Sequence, residues 1–411
     1  MNAFHCRSCG CHDGRPVLDL GLQPLANNLL KPSDLGRPEP RFPLRVAVCR
    51  SCWLVQILDI IPPVELFSEY LYFSSFSDEM QRHARAACQR HVASERLGPG
   101  SWVVEVASND GYLLRNLVEA GIPCLGIEPA ANIARVAEER GVPTLVRFFG
   151  RALAEELAGK GRRANLILGN NVFAHAPDPN DFVAGLAALV APAGRVVLEF
   201  PYVGDLLAKA EFDTIYHEHV FYFSLGALLP LFRRHGLDVF EVERLPIHGG
   251  SLRLSAAPSG SRPIDPSVPA LLAEEEAGGL YSEAAYLGFA GRVLRLREDL
   301  RALLRELHGQ GARIAAYGAS AKGSTLLNFH GIGRNGLDVV EFVADRSTAK
   351  QGLLTPGSHL PVVGPDQLLA RGTTHALLLV WNFAEEVLRQ QQAYRDAGGR
   401  FILPLPEVRI L

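Results

Sequence analysis

The sequence predicts an α/β protein in three parts: a small cysteine-rich unit at the N-terminus, a central Rossmann-like sheet, and a second, smaller Rossmann-like unit in the C-terminal third. Three observations predict it. Five of the seven cysteines fall within the first 52 residues. From about residue 102 to 203, short apolar runs alternate with stretches of helical length, the grammar of a doubly wound sheet. From residue 312 the same strand, glycine turn and helix begin again. With 411 residues, of which 48% are hydrophobic and 21% charged, the chain is long and apolar enough for more than one core.

Residues 1–66 form the first part. Cys6-Arg7-Ser8-Cys9 and Cys49-Arg50-Ser51-Cys52 are two CxxC knuckles, which together place four thiolates around one tetrahedral Zn²⁺. The stretch between them is longer than in most zinc ribbons, but a loop closed by a metal tolerates length. Cys11 sits close by and reads as a bystander, with replacement of Cys9 as the alternative. Four cysteines leave no open position, so the metal is expected to be structural.

Residues 67–256 form the second part. A polar helical stretch runs from about 78 to 97 and "GPGS" ends it. "WVVEVA" (102–107) is the first strand, and "SNDGYLLRNLVEAG" a turn feeding an amphipathic helix with a terminal glycine. "PCLGIEPA" (123–130) is a second strand, 132–141 a helix and 142–149 a third strand. "RALAEELAGKG" is a helix, and "ANLILGNNVFAHAPD" (164–178) a fourth strand with a polar exit. A further helix precedes the fifth strand, "RVVLEFPYV". The Pro/Ser/Gly-rich segment 257–269 reads as a linker, 281–308 as a long helix, and the rest of 257–411 as the third part.

Ligands of such sheets bind at the carboxyl ends of the strands, at the topological switch point. Here that is the turn after the first strand, with Glu105, Ala107, Asn109 and Gly111. Glu128 ends the next strand about twenty residues on, where an acid accepts hydrogen bonds from ribose hydroxyls. Dinucleotides and S-adenosylmethionine both use that arrangement. The fingerprint GxGxxG is absent and only Gly111 stands in the turn, so a pyrophosphate cradle is poorly supplied. This favours S-adenosylmethionine, which carries no phosphate. Asn170 and Asn171 leave the fourth strand, where they either face the ligand or cap a turn.

The net charge of −3 supplies no global field for nucleic acid or an anionic membrane. No apolar run reaches the roughly 20 residues of a membrane helix, and the start "MNAFHCRSCGCHDG" lacks the pattern of a secretory signal. A cytoplasmic location is expected.

Several stretches, taken in order, carry a resemblance: CRSC and CRSC with "LGLQPLANNLL" between them, "EYLYFSSFS", "VVEVASNDGYLL", "GIEPAANIA", "NNVFAHAPD", "IYHEHVFYFS", "HGGSLR", "YGASAKGSTLLN" and "ADRSTAKQGLLTPGSHLPV". Over nearly the whole chain they resemble the zinc-containing sugar C-methyltransferases of deoxysugar biosynthesis, the tetronitrose and dTDP-4-keto-deoxysugar 3-C-methyltransferase family. The resemblance implies an N-terminal zinc domain, a central methyltransferase domain that binds S-adenosylmethionine, and a C-terminal Rossmann-like domain that helps bind a nucleotide sugar. It implies a dTDP-linked 4-keto-deoxysugar, often 3-amino, methylated at C3 in antibiotic-type pathways by a monomer or weak homodimer. It places acid–base residues at Tyr216, Glu218, His219, His175 and Tyr70, with His219 the favoured base and Tyr72 near the substrate.

That chemistry suits those residue types. C3 becomes nucleophilic only when a proton leaves, and the C4 carbonyl acidifies it. A histidine has a pKa near the working pH, and tyrosine or histidine can donate to the developing oxyanion. If 215–224 were all strand, Tyr216 and Glu218 would face away from His219. Residues 213–220 are therefore expected not to be regular strand, 220–224 to be an aromatic core strand, and His217 to be structural, donating to a backbone carbonyl. His-Glu-His as a metal site lacks further ligands at recognisable spacing.

In the third part, "AAYGASAKGST" places Tyr317, Ser320 and Lys322 at a glycine turn opening a helix, a phosphate-approaching arrangement without the P-loop spacing. Arg253, after Gly249-Gly250, is either a second diphosphate ligand or a surface arginine. Asn382 borders the nucleotide or packs in the core. The competing reading, an NAD-dependent sugar-nucleotide dehydrogenase or epimerase, uses both Rossmann-like parts but lacks GxGxxG. A zinc-scaffolded binding protein and an O- or N-methyltransferase also compete.

Overall fold

The computed structural model describes residues 4–67, 74–76, 78–334 and 336–411. Tyr70 and Tyr72 lie outside the described residues. Three strands open the chain: β1 (Gly14–Gln23), β2 (Phe42–Cys49) and β3 (Val55–Ile57). The central part holds β4 (Val103–Val106), β5 (Cys124–Ile127), β6 (Thr144–Leu145), β7 (Ala164–Asn170), β8 (Val190–Pro201), β9 (Phe221–Tyr222), β10 (Leu237–Leu245) and β11 (Ser251–Pro258). The C-terminal part holds β12 (Ile314–Tyr317), β13 (Val340–Ala344), β14 (Val362–Val363), β15 (His375–Leu378), β16 (Arg400–Leu403) and β17 (Arg409–Ile410).

Among the described residues these strands form three sheets, ordered β1-β2-β3-β9, β10-β11-β8-β7-β4-β5-β6 and β14-β13-β12-β15-β16-β17. In the central sheet, β4 to β8 are parallel and β11 is antiparallel to both its neighbours. The chain order reverses between β4 and β7, which puts the switch point beside the turn after β4. β4 is buried at every position, as a strand covered on both faces must be.

Two features differ from the pattern expected of the sequence. β10 and β11 extend the central sheet at its edge, and β11 runs on to Pro258, into the expected linker. β9 leaves the central domain and pairs antiparallel with β3, so a piece of the second part completes the sheet of the first. The helix Glu283–Gly309 then leads to the C-terminal sheet.

Residues 215–220 contain no strand, as expected, and the aromatic strand that follows is confined to Phe221–Tyr222. His217 is buried and its Nε2 donates to the Pro43 carbonyl at 3.2 Å, the structural role anticipated for it.

Candidate active site

A cavity of about 680 Å³ lies over the carboxyl ends of β4, β5 and β7 and is closed on its far side by the C-terminal domain. Ala107, Asn109, Glu128, Asn170 and Asn171 form its cofactor side. The backbone there is unusual. Ala107 (φ 55°), Asn109 (φ 49°), Gly111 (φ 75°) and Asn171 (φ 53°) are all left-handed. The bend that a glycine-rich turn makes without strain is made here largely by alanine and asparagine. Such residues mark functional sites.

Gly111 does not itself line the cavity. A Cβ there would come within 2.9 Å of Val142 Cγ2, so its role is close packing beneath the turn. Glu105 also differs from expectation: it is 1% exposed and off the cavity wall. Its two carboxyl oxygens have no partner among the described residues, and burial, with Glu128 and Asp110 near, pushes its pKa well up. It is a buried acid under the floor rather than a ligand contact.

Glu128 is fixed from both sides. Its Oε2 accepts the Asn109 amide at 3.0 Å and its Oε1 the Ala130 amide at 2.9 Å. A carboxylate has about four lone-pair sites, so acceptor capacity remains for the ribose hydroxyls of S-adenosylmethionine. The turn, the acid and the two asparagines therefore fit that cofactor.

The middle of the cavity holds His175, Tyr216 and His219. The His219 amide donates to the Tyr216 carbonyl at 2.9 Å, closing a turn that brings the two side chains together. Tyr216 Oη lies 2.8 Å from His219 Nε2. His219 Nδ1 lies 2.9 Å from the Thr214 carbonyl, which only accepts, so Nδ1 carries the proton and Nε2 the lone pair. The His175 ring meets His219 edge-on, centroids 4.8 Å apart. Burial lowers the His175 pKa to about 4, so it is neutral at physiological pH. Glu218 lies just behind the wall, 3% exposed, where its Oε1 accepts from Asn27 Nδ2 at 2.7 Å.

Ser320, Lys322, Lys350 and Asn382 supply the far side. Ser320 caps the helix Ala321–His330 by accepting from the Gly323 amide at 3.0 Å. Lys322 lies over the Trp381 ring, 5.0 Å from its centroid, and Lys350 Nζ donates to the Ala319 carbonyl at 2.8 Å. Two expected contacts are corrected. Tyr317 is buried in the core, its hydroxyl accepting from Gln391 at 3.3 Å. Arg253 is 3% exposed, with its charge balanced by Glu199 at 2.7 Å and by Glu243, so no cation is left for a diphosphate. Sequence reasoning missed Lys350, Asn27 and Asp213, the indole partner of Trp381. The first two lie inside motifs of the family resemblance, but only the fold shows where they point.

Away from the cavity, Sγ of Cys6, Cys9, Cys49 and Cys52 all lie within 4.8 Å of one another. Cys6 and Cys52 are 3.5 Å apart and Cys9 and Cys49 3.6 Å, near the roughly 3.8 Å edge of a tetrahedron with Zn–S of about 2.3 Å. The cluster fits zinc, and Cys11 is not part of it.

Residues 6–67 match a zinc binding domain family, residues 79–242 a methyltransferase domain family, and residues 246–406 the C-methyltransferase C-terminal domain family. The C-methyltransferase NovU of Streptomyces niveus is 40% identical over 407 residues, 99% of this chain and 96% of its own. This chain belongs to the C-methyltransferase family. Its cofactor is S-adenosylmethionine, its four cysteines form the zinc site, and the NAD-dependent reading falls away. A ubiquinone biosynthesis O-methyltransferase of Bordetella avium is 32% identical over 99 residues, 24% of this C-methyltransferase and 41% of its own length. The solved magnesium protoporphyrin IX methyltransferase of Synechocystis superposes on 44% of this chain and 79% of its own, at 16% identity and a TM-score of 0.34. Among the described residues no helix is long and apolar enough to cross a membrane.

Proposed function

We propose that this C-methyltransferase methylates C3 of a dTDP-linked 4-keto-deoxysugar, in the cytoplasm, as a monomer or weak homodimer and as a step of antibiotic-type deoxysugar biosynthesis. The observation that carries the reading is one cavity in which a ribose-binding acid, a tyrosine–histidine pair and two lysines converge. S-adenosylmethionine supplies the electrophilic methyl group when bound. Lys322, Lys350 and Ser320 hold the diphosphate, and Asn382 borders the nucleotide. His219 takes the C3 proton on Nε2. Tyr216 covers that nitrogen at rest, so turning its hydroxyl to the C4 oxygen both uncovers the base and delivers a donor to the enolate. His175, neutral at physiological pH, is a second donor that adds no charge. Glu218 sets the charge behind the loop, and Tyr70 and Tyr72 complete the sugar side.

The test is incubation with S-adenosylmethionine and a panel of dTDP-4-keto sugars that differ at C3. The expected result is a gain of one methyl, bonded to carbon by NMR, with solvent deuterium entering C3 when S-adenosylhomocysteine replaces the donor. A methyl bonded to oxygen or nitrogen would overturn C-methylation at C3. No gain with any member would overturn the substrate class.

A further inference from the structure

We propose that Asn27, from the zinc-bearing domain, is a positioning residue for the acid–base loop that keeps Glu218 ionised and oriented. The inference rests on the reading of residues 216–219 given above. Asn27 sits in a tight turn after β1, with the Asn28 amide donating to the Leu25 carbonyl and the Leu29 amide to the Asn27 carbonyl. That turn brings the side chain to the cavity wall and places Nδ2 2.7 Å from Glu218 Oε1, across 191 residues of sequence. The contact is not isolated. The Ile57 amide donates to the Val220 carbonyl at 3.0 Å, His217 donates to Pro43, and β3 pairs with β9. The acid–base loop is thus built against the zinc-bearing domain along its length.

The chemistry gives the contact a direction. An amide N–H only donates and an ionised carboxylate only accepts, so the bond favours the charged form of Glu218. The flipped amide would set oxygen against oxygen and require a protonated Glu218. Glu218 immediately precedes His219 in the chain, so fixing its carboxylate fixes the loop that carries the base. Losing this donor favours the protonated form of Glu218 and loosens the loop that carries His219.

The experiment uses the full-length, zinc-loaded protein with Asn27→Leu and Asn27→Asp, each checked for zinc content and S-adenosylhomocysteine affinity. The Glu218 titration is followed by ¹³C NMR of carboxyl-labelled glutamate, its signal identified by loss in Glu218→Gln. The midpoint is expected to rise by roughly one to two pH units in both variants, more in Asn27→Asp, where a second carboxylate is added. With an accepted sugar, kcat should fall roughly 10- to 100-fold at unchanged KM for S-adenosylmethionine. The acid limb of kcat should move up with the Glu218 midpoint, and Asn27→Gln should recover part of the loss. An unchanged Glu218 midpoint in folded Asn27→Leu would overturn the proposal. Should that variant fail to load zinc, Asn27→Ser is read in its place. If wild type methylates no sugar in the panel, the substrate reading fails, while the NMR titration still decides this one.

Discussion

One wall of the cavity presents the acid Glu128 and the other presents two lysines, though both are built from the same strand–turn–helix unit. On the wall formed by β4, β5 and β7, Glu128 faces the cavity, while Asp110 beneath it is paired with Arg140 at 2.9 Å. On the wall formed by the C-terminal sheet stand Lys322 and Lys350, beside a serine-capped helix. A sulfonium cation with a ribose suits the first wall and a diphosphate the second. Fold grammar alone does not choose a ligand, because the few side chains at each strand end do. Between the walls lies the Tyr216–His219 pair.

The sharpest test of that division is His219→Asn. Loss of a general base costs roughly 10²- to 10⁴-fold in rate, and turnover is expected to drop by that much. Binding of S-adenosylhomocysteine and of dTDP, measured separately by calorimetry, should stay within about threefold, since hydrogen bonds from neither wall are removed. Near-normal turnover would take the base role from His219. Loss of either binding would show that the centre and that wall are one unit.

A reciprocal pair of variants separates the walls themselves. Glu128→Gln removes a charged acceptor and is expected to weaken S-adenosylhomocysteine roughly 10- to 100-fold, with dTDP unaffected. Lys322→Met with Lys350→Met is expected to weaken dTDP by a similar, roughly 10- to 100-fold factor. It should also flatten the salt dependence of dTDP binding, with S-adenosylhomocysteine unaffected. A large effect of either variant on the other ligand would break the comparison.

An acid beside the cationic wall gives a test by pH. Asp213 is fully buried, and its Oδ2 accepts the Trp381 indole N–H at 2.6 Å. Burial raises its pKa from 3.8 to about 6, against the opposing pull of Lys322 and Trp381. Between those two values the folded protein keeps a proton that the unfolded chain has released. Stability therefore falls as pH rises through that window, and the whole cost is present above it. At about 1.36 kcal/mol per unit, the ceiling is about 3 kcal/mol. An asparagine at this position would still accept the indole N–H and bear no such cost. Asp213→Asn should then melt with wild type at about pH 4 and above it at about pH 7.5. A pH-independent offset would show that Asp213 does not titrate in the fold.

The same contrast explains how much could be read from sequence. The strands β4, β5, β7 and β8 were legible because a parallel strand buried on both faces reads as an apolar run. β10 and β11 were not, since their mixed polar pattern belongs to a sheet edge. β9 has two residues and owes its existence to β3. The CxxC knuckles were legible because metal geometry imposes local spacing. Arg253 and Lys350 show the limit. In sequence both are cations near a glycine, and only Glu199 and Glu243 in the fold remove Arg253 from use while Lys350 reaches the cavity. Asn27 stands within a motif of the family resemblance, but its partner lies 191 residues away and no local pattern points to it.

The smallest effect probes the feature that sequence hid most completely, the left-handed turn on the acidic wall. Ala107 has φ 55° and lines the cavity. A left-handed residue with a Cβ costs about 1–2 kcal/mol. Glycine avoids that cost but loses about 0.5–1 kcal/mol more backbone entropy on folding. Ala107→Gly should therefore stabilise the protein by about 0.5–1 kcal/mol, a rise in Tm of about 1–3 °C. S-adenosylhomocysteine affinity should change by less than about threefold, because the turn already has its shape. A fall in Tm would mean that the alanine methyl contributes packing worth more than the strain. The missing glycines of the cofactor turn would then reflect a requirement of the cavity wall rather than a tolerated cost.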